Sequence, residues 1–139
     1  MMAGDTRQVS GGTRITIRAG SVRIAGWLDA GPTAQDFIAL LPTTIAMTRW
    51  GDREYYGKVL LTPRANEGRR QEGFANGDIG YWVPGGSFAL FFDENANPGI
   101  SDLIVMGTIT SDLALLAGLG ETADMVIEVD EAAGAAPAD

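Results

Sequence analysis

A chain of 139 residues suits one compact domain, and with 45% hydrophobic and 20% charged residues it carries enough apolar material for a core. Its formal net charge of −8 repels phosphate backbones and anionic lipid, so neither nucleic acid nor a membrane surface is an expected partner. Histidine and cysteine are both absent, which excludes disulfides, thiolate nucleophiles, the usual zinc ligands and the imidazole base.

What remains for chemistry is Asp, Glu, Arg, Tyr, Ser, Thr and the single Lys58. The one dense basic spot, Arg64, Arg69 and Arg70, is interleaved with Glu67 and Glu72 and reads as a solvated loop of mixed charge. The 19 glycines follow no period, so they point to short strands joined by tight turns rather than to a repeat. No leader-like apolar run opens the sequence and no stretch approaches the ~20 apolar residues of a membrane helix. With the lack of cysteine, this points to a cytoplasmic address.

Residues 1–12 are polar and Gly-rich and are expected to be disordered, as is the Ala/Gly/Pro/acidic tail 131–139; the folded domain is expected over 13–130. The first strand is expected at Thr13–Arg18, where Ile15 and Ile17 alternate with polar residues. Ala19-Gly20-Ser21 turns the chain into a second strand, Val22–Leu28, with Val22, Ile24 and Leu28 on one face. A helix follows, with Thr33 as its N-cap, Asp36 as a capping-box partner, Phe37, Leu40 and Leu41 facing the core, and Pro42 ending it.

Thr43–Trp50 is the third expected strand, with Ile45 and Met47 on one face. Gly51-Asp52 turns into a fourth, Tyr55–Leu61, and residues 63–73 read as a polar loop. Asn76-Gly77 favours a tight turn before the fifth strand, Ile79–Val83. Pro84-Gly85-Gly86 turns into the sixth, Ser87–Phe92, whose unbroken apolar run implies burial on both faces. A loop spans Asp93–Ser101, and the seventh strand follows at Asp102–Thr110. Ser111 caps a second helix carrying Leu113, Leu116 and Ala117, and the eighth strand is Ala123–Asp130.

Eight short strands joined by hairpin-like turns, with two helices, argue for a closed, mainly antiparallel barrel capped at its ends, although the pattern alone fits a β-sandwich nearly as well. Two segments carry a resemblance. Trp50-Gly51-Asp52 precedes Tyr55-Tyr56, and Gly77-Asp78-Ile79-Gly80-Tyr81-Trp82-Val83-Pro84-Gly85 runs into Phe88-Ala89-Leu90-Phe91-Phe92. In these the chain resembles a bacterial and archaeal cyclophilin-like family of uncharacterised function, and the match extends over about residues 13–130. The resemblance implies the cyclophilin barrel of eight strands and two capping helices. In that family two acidic residues follow Trp-Gly; here Asp52 keeps the first and Arg53 replaces the second.

Three functions are weighed. Prolyl isomerisation must lower a barrier of about 18–20 kcal/mol by holding the ring in an apolar pocket and stabilising the twisted amide. The Phe-His-Arg and Gln-Gly-Gly-Asp segments of true cyclophilins are both missing, so efficient isomerase activity is not expected; Arg49, Arg53 or Arg64 would have to substitute. A non-catalytic module binding a peptide or small ligand is the favoured reading. Its candidate residues are Trp50, Tyr55, Tyr56, Tyr81 and Trp82 as apolar walls and Arg53 as a charge for an acidic group, set against the usual fate of such aromatics, which is core packing. A carboxylate-based hydrolase would need Asp93 and Glu94, or another acid pair, to converge. No cofactor or metal is expected, since no Asp-x-Asp-x-Asp loop or phosphate cradle is present. Strand-face aromatics such as Trp27 and Tyr56 leave self-association as the remaining interaction reading.

Overall fold

The structure is a computed structural model in which residues 12–94 and 99–130 are described; of the two expected disordered segments, 1–12 and 131–139, all but Gly12 lie outside the described residues. Eight strands run in the order β1 (Thr13–Ala19), β2 (Val22–Leu28), β3 (Thr43–Trp50), β4 (Glu54–Lys58), β5 (Asp78–Trp82), β6 (Ser87–Phe91), β7 (Leu103–Ile109) and β8 (Thr122–Val129). Helix α1 (Pro32–Ile38) lies between β2 and β3, and α2 (Ala114–Ala117) between β7 and β8; a 3-10 turn occupies Pro63–Glu67. The strands close in the spatial order β1-β2-β7-β5-β6-β4-β3-β8, with β8 returning to β1 and neighbours antiparallel. Closure decides between the two architectures that the pattern left open: it is a barrel.

Alternation along the strands fills the interior. Ile15 and Ile17 of β1, Ile24 and Leu28 of β2, Ile45 and Met47 of β3, and Met125 and Ile127 of β8 all point inward and are almost fully buried. The β1–β2 hairpin turns on Gly20-Ser21 with Gly20 at φ +60°, the left-handed conformation that a two-residue loop needs at its first position. Closure also demands close antiparallel pairing of β2 with β7, Leu28 opposite Gly107. A Cβ on Gly107 would stand 1.9 Å from the Trp27 carbonyl oxygen, so no side chain fits there.

The helices plug opposite mouths, because β3 leaves α1 at Thr43 and reaches the α2 exit at Arg49, whose amide donates to the Glu121 carbonyl. Phe37 of α1 stacks on Phe88 with ring centroids 4.7 Å apart, and Leu116 of α2 is fully buried.

Several local expectations are corrected. Gly31, not Thr33, is the N-cap of α1, and Pro32 opens the helix, where its missing amide hydrogen costs nothing. Thr33 is buried in the first turn and its hydroxyl donates to the Ala65 carbonyl. The Asp36 carboxylate accepts from the Thr62 amide and hydroxyl at 2.9 and 2.7 Å, across to the chain that follows β4. These contacts draw the chain out of the sheet after Lys58, so β4 stops short of Leu61. Ser111 likewise does not cap α2; its hydroxyl accepts from the Ala25 amide at 2.8 Å.

A second apolar cluster lies outside the barrel. β6 is buried along its whole length: Phe88 and Leu90 face the interior, while Ala89 and Phe91 face out and pack with Phe74, Leu103, Ile100, Val105 and Trp82. The segments around Phe74 and Ile100 fold over the outer sheet to provide this cover. No helix among the described residues is long and apolar enough to cross a membrane.

Candidate functional site

The turn from β3 to β4 places Trp50, Arg53 and Glu54 on the outer face of the barrel, beside the second apolar cluster. Glu54 begins β4 opposite Trp50 on one side and Phe91 on the other. Arg53 Nε donates to Glu54 Oε1 at 2.6 Å, and Nη2 completes the ion pair. Nη1 donates to the Gly99 carbonyl at 3.2 Å. The guanidinium carbon lies 4.0 Å from the Trp50 ring centre and 5.6 Å from that of Phe74, so the cation is stacked as well as paired. Both charged side chains are nearly inaccessible, at 8% and 6% exposure. Burial pushes the Glu54 carboxyl above the ordinary glutamate range, and the charge and hydrogen bonds of Arg53 pull against that shift.

The six sequence candidates divide into three environments. Tyr55 and Tyr81 belong to the interior core and are buried. The Tyr55 hydroxyl lies 2.5 Å from the Leu119 carbonyl oxygen and 2.7 Å from that of Gly120, and it accepts from Arg49 Nη1 at 3.2 Å. Trp82 is half-buried on the outer cluster, with its indole N–H donating to the Ser101 carbonyl at 2.8 Å. Arg53 faces Glu54 instead of an open acid-binding site. Trp50 and Tyr56 stay exposed, at 44% and 36%. They are diagonal neighbours on the same outer face, since Tyr56 pairs with Thr48, two residues before Trp50.

Arg49 is equally committed. Its guanidinium donates to the Ala117 carbonyl at 2.7 Å, to the Gly51 carbonyl at 2.8 Å and to Asp52 at 3.1 Å. Its pKa is raised, first by the Tyr55 hydroxyl hydrogen bond, so the cation is permanent. The side chain of Arg64 lies outside the described residues.

Glu94 serves as a turn anchor: its carboxylate accepts from the Asn76 amide at 3.1 Å and its own amide donates to the Asn76 side chain at 2.6 Å. The acid it interacts with is Asp78, which accepts from the Ala75 amide at 2.8 Å. Desolvation raises the Asp78 pKa, the Ala75 hydrogen bond lowers it, and the negative charge of Glu94 adds a further rise. Both carboxylates are occupied in holding the 75–77 turn. No group of three or more potential metal-ligating acids gathers among the described residues.

A concavity does exist on a different wall. A groove of about 310 Å³ runs over the outer side of β1 and β2, lined by Arg14, Ala25, Trp27, Thr110 and Asp130 among others. None of the six candidates lines it.

The cyclophilin-like family model matches residues 17–129. The chain belongs to the cyclophilin-like family. A hypothetical protein from Archaeoglobus fulgidus, solved in solution, superposes on this cyclophilin-like barrel with a TM-score of 0.62 at 24% identity, covering 89% of this chain and 98% of the archaeal one. That likeness bears on fold alone. No curated protein matches the sequence.

Sequence reasoning missed the partner of Arg53 and the outer cluster that surrounds both. A signal for the cluster was present. A β6 strand buried on both faces requires something outside the barrel to cover Ala89 and Phe91, and Phe74 stands in an otherwise polar loop. For the Arg53–Glu54 pair the sequence offered no comparable signal, since adjacent opposite charges at a strand start are ordinarily solvated.

Proposed function

We propose that this cyclophilin-like domain is a non-catalytic, cytoplasmic binding module that takes an extended peptide across the outer face of β3 and β4, with Trp50 and Tyr56 as its anchors. The supporting observation is that Trp50 is exposed on one side yet held on the other by a buried guanidinium 4.0 Å from its ring centre. An indole fixed in this way loses little side-chain freedom on binding, which favours affinity. Tyr56 adds a second amphipathic ring one strand away, and Thr48, directly across from Tyr56, supplies a hydroxyl beside the peptide path.

The same geometry weighs against the isomerase and hydrolase readings. The isomerase reading relies on an arginine that reaches the twisted X-Pro amide, and both Arg49 and Arg53 are turned into the protein. The carboxylates of Asp78 and Glu94 hold backbone amides. The test is a nitrogen-15 NMR titration with a panel of extended proline-containing and aromatic peptides. Shifts confined to residues 48–58, weakened at least tenfold by Trp50→Ala or Tyr56→Ala, are expected. A footprint elsewhere, or binding indifferent to both substitutions, refutes the reading.

A further inference from the structure

The groove on the opposite wall has its own chemistry. β1 and β2 pair in an unbroken seven-residue ladder from Thr13↔Leu28 to Ala19↔Val22, so its floor is rigid backbone. Two consecutive register pairs define it. Ile15 and Gly26 lie side by side at its base with Cβ positions aimed inward, while Arg14 and Trp27, one step along, stand outward as facing partners. Ala25 is the next outward residue of β2 beyond Trp27, and its single methyl leaves a hollow beside the indole. Thr110 closes the hollow from the end of β7, its amide donating to the Ala25 carbonyl at 2.8 Å.

Arg14 and Trp27 face each other without touching as cation and ring: the stacked guanidiniums among the described residues are those of Arg49 and Arg53. Arg14 is exposed and Trp27 half-buried, so an aromatic wall and a forked cation border one open volume. About 310 Å³ is at the small end of ligand pockets, room for one ring with a short substituent. A flat ring fits against the indole face over Ala25. The guanidinium fork matches a carboxylate and holds it bidentately. The chain's net charge of −8 opposes any second negative charge.

We infer that this groove is a binding site for a small aromatic monocarboxylate, with its ring on Trp27 over Ala25 and its carboxylate on Arg14. The site is independent of the β3–β4 face. The test uses benzoate and phenylacetate as probes in nitrogen-15 NMR titrations, with benzamide as the uncharged control and acetate as the ring-free control. Saturable shifts at residues 14, 25–27 and 110 are expected for the two probes, at least tenfold weaker for benzamide and acetate. Arg14→Gln is expected to abolish the preference of benzoate over benzamide. Ala25→Leu, a surface change that fills the hollow, is expected to weaken both probes tenfold or more while leaving the rest of the spectrum unchanged. No saturable shift at 10 mM probe, equal binding of benzoate and benzamide, or full binding to the Ala25→Leu variant overturns the assignment. A footprint at residues 48–58 also overturns it, because those residues form the other surface.

Discussion

Glu54→Leu removes one partner of an ion pair whose side chains are 8% and 6% exposed, and leaves the Arg53 cation stacked beside Trp50 and Phe74 without the Glu54 carboxylate. The small worth of surface pairs does not apply at this burial. Breaking a buried pair from one side costs about 3–5 kcal/mol, because the remaining charge stays desolvated. Arg53→Met should cost a comparable amount at neutral pH, and it also removes the hydrogen bond to the Gly99 carbonyl. Replacing both, as Arg53→Met with Glu54→Leu, deletes the two desolvation penalties together and puts apolar atoms against an apolar cluster. The double variant should lie within about 2 kcal/mol of the parent, since such replacements are often neutral or stabilising. The cycle therefore predicts a coupling energy of at least about 4 kcal/mol, read by urea denaturation followed through tryptophan fluorescence. Single variants that each lose less than about 1 kcal/mol would show a hydrated pair and refute the reasoning.

The same pair fixes a pH trend. The folded Glu54 carboxyl titrates above its unfolded range, so the native state binds more protons than the unfolded state between the two values. Stability attributable to this group falls as pH rises through that window, and recovers as pH falls below the folded value. In the double variant this contribution vanishes, and the difference between the two stability–pH curves isolates it.

Gly107→Ala should lower stability by about 3 kcal/mol or more, or prevent folding, because its methyl would overlap the Trp27 carbonyl oxygen at 1.9 Å; Gly20→Ala, with open space around it and φ +60°, should cost about 1 kcal/mol in the same denaturation assay. Tyr55→Phe should cost about 1–3 kcal/mol by leaving the Gly120 carbonyl without the tyrosine hydroxyl and the Leu119 carbonyl with only the longer 3.4 Å hydrogen bond from Arg49 Nη1; faster hydrogen exchange confined to residues 117–121 would locate the loss. Phe91→Ala, on the outside of the barrel, should cost about 3–5 kcal/mol, as an interior phenylalanine would, if the outer cluster is a true core. A protease-coupled assay at micromolar protein should show no faster cis-to-trans conversion of a proline peptide; acceleration lost on Arg53→Met would reverse the assignment of that guanidinium as buried.

The strands were legible because alternation is a local signal. Ile15 and Ile17, Ile45 and Met47, and Phe88 and Leu90 reveal their faces with no knowledge of partners. The closure was not legible locally, since the pairing of β8 with both β1 and β3 joins residues more than 70 positions apart. Caps failed for a related reason. Thr33, Asp36 and Ser111 had the right chemistry for helix ends, but distant backbone at Ala65, Thr62 and Ala25 claimed their oxygens. The aromatic candidates shared one weakness. A sequence shows that Tyr55 and Tyr56 point opposite ways, but it does not show which of the two directions is the interior until the register with β6 is known.

A cation on the outer wall of a barrel serves a ligand only while its charge faces solvent or substrate. Arg53 sits on that wall, and so does Glu54, because residue 54 opens β4 with its side chain outward and Tyr55 turns in. Once Phe74 and Ile100 cover the wall, a lone Arg53 would be a desolvated charge, and the adjacent carboxylate is what makes that cover tolerable. The cover in turn holds the segments around residues 74 and 100 against the sheet and fixes the underside of Trp50. The pair thus turns the guanidinium toward Glu54 and sets it against the ring of the exposed Trp50 indole. The peptide recognition proposed at Trp50 and Tyr56 should accordingly weaken in the Arg53→Met, Glu54→Leu double variant even though its stability is preserved, and undiminished peptide binding there would separate the pair from the role proposed for the face above it.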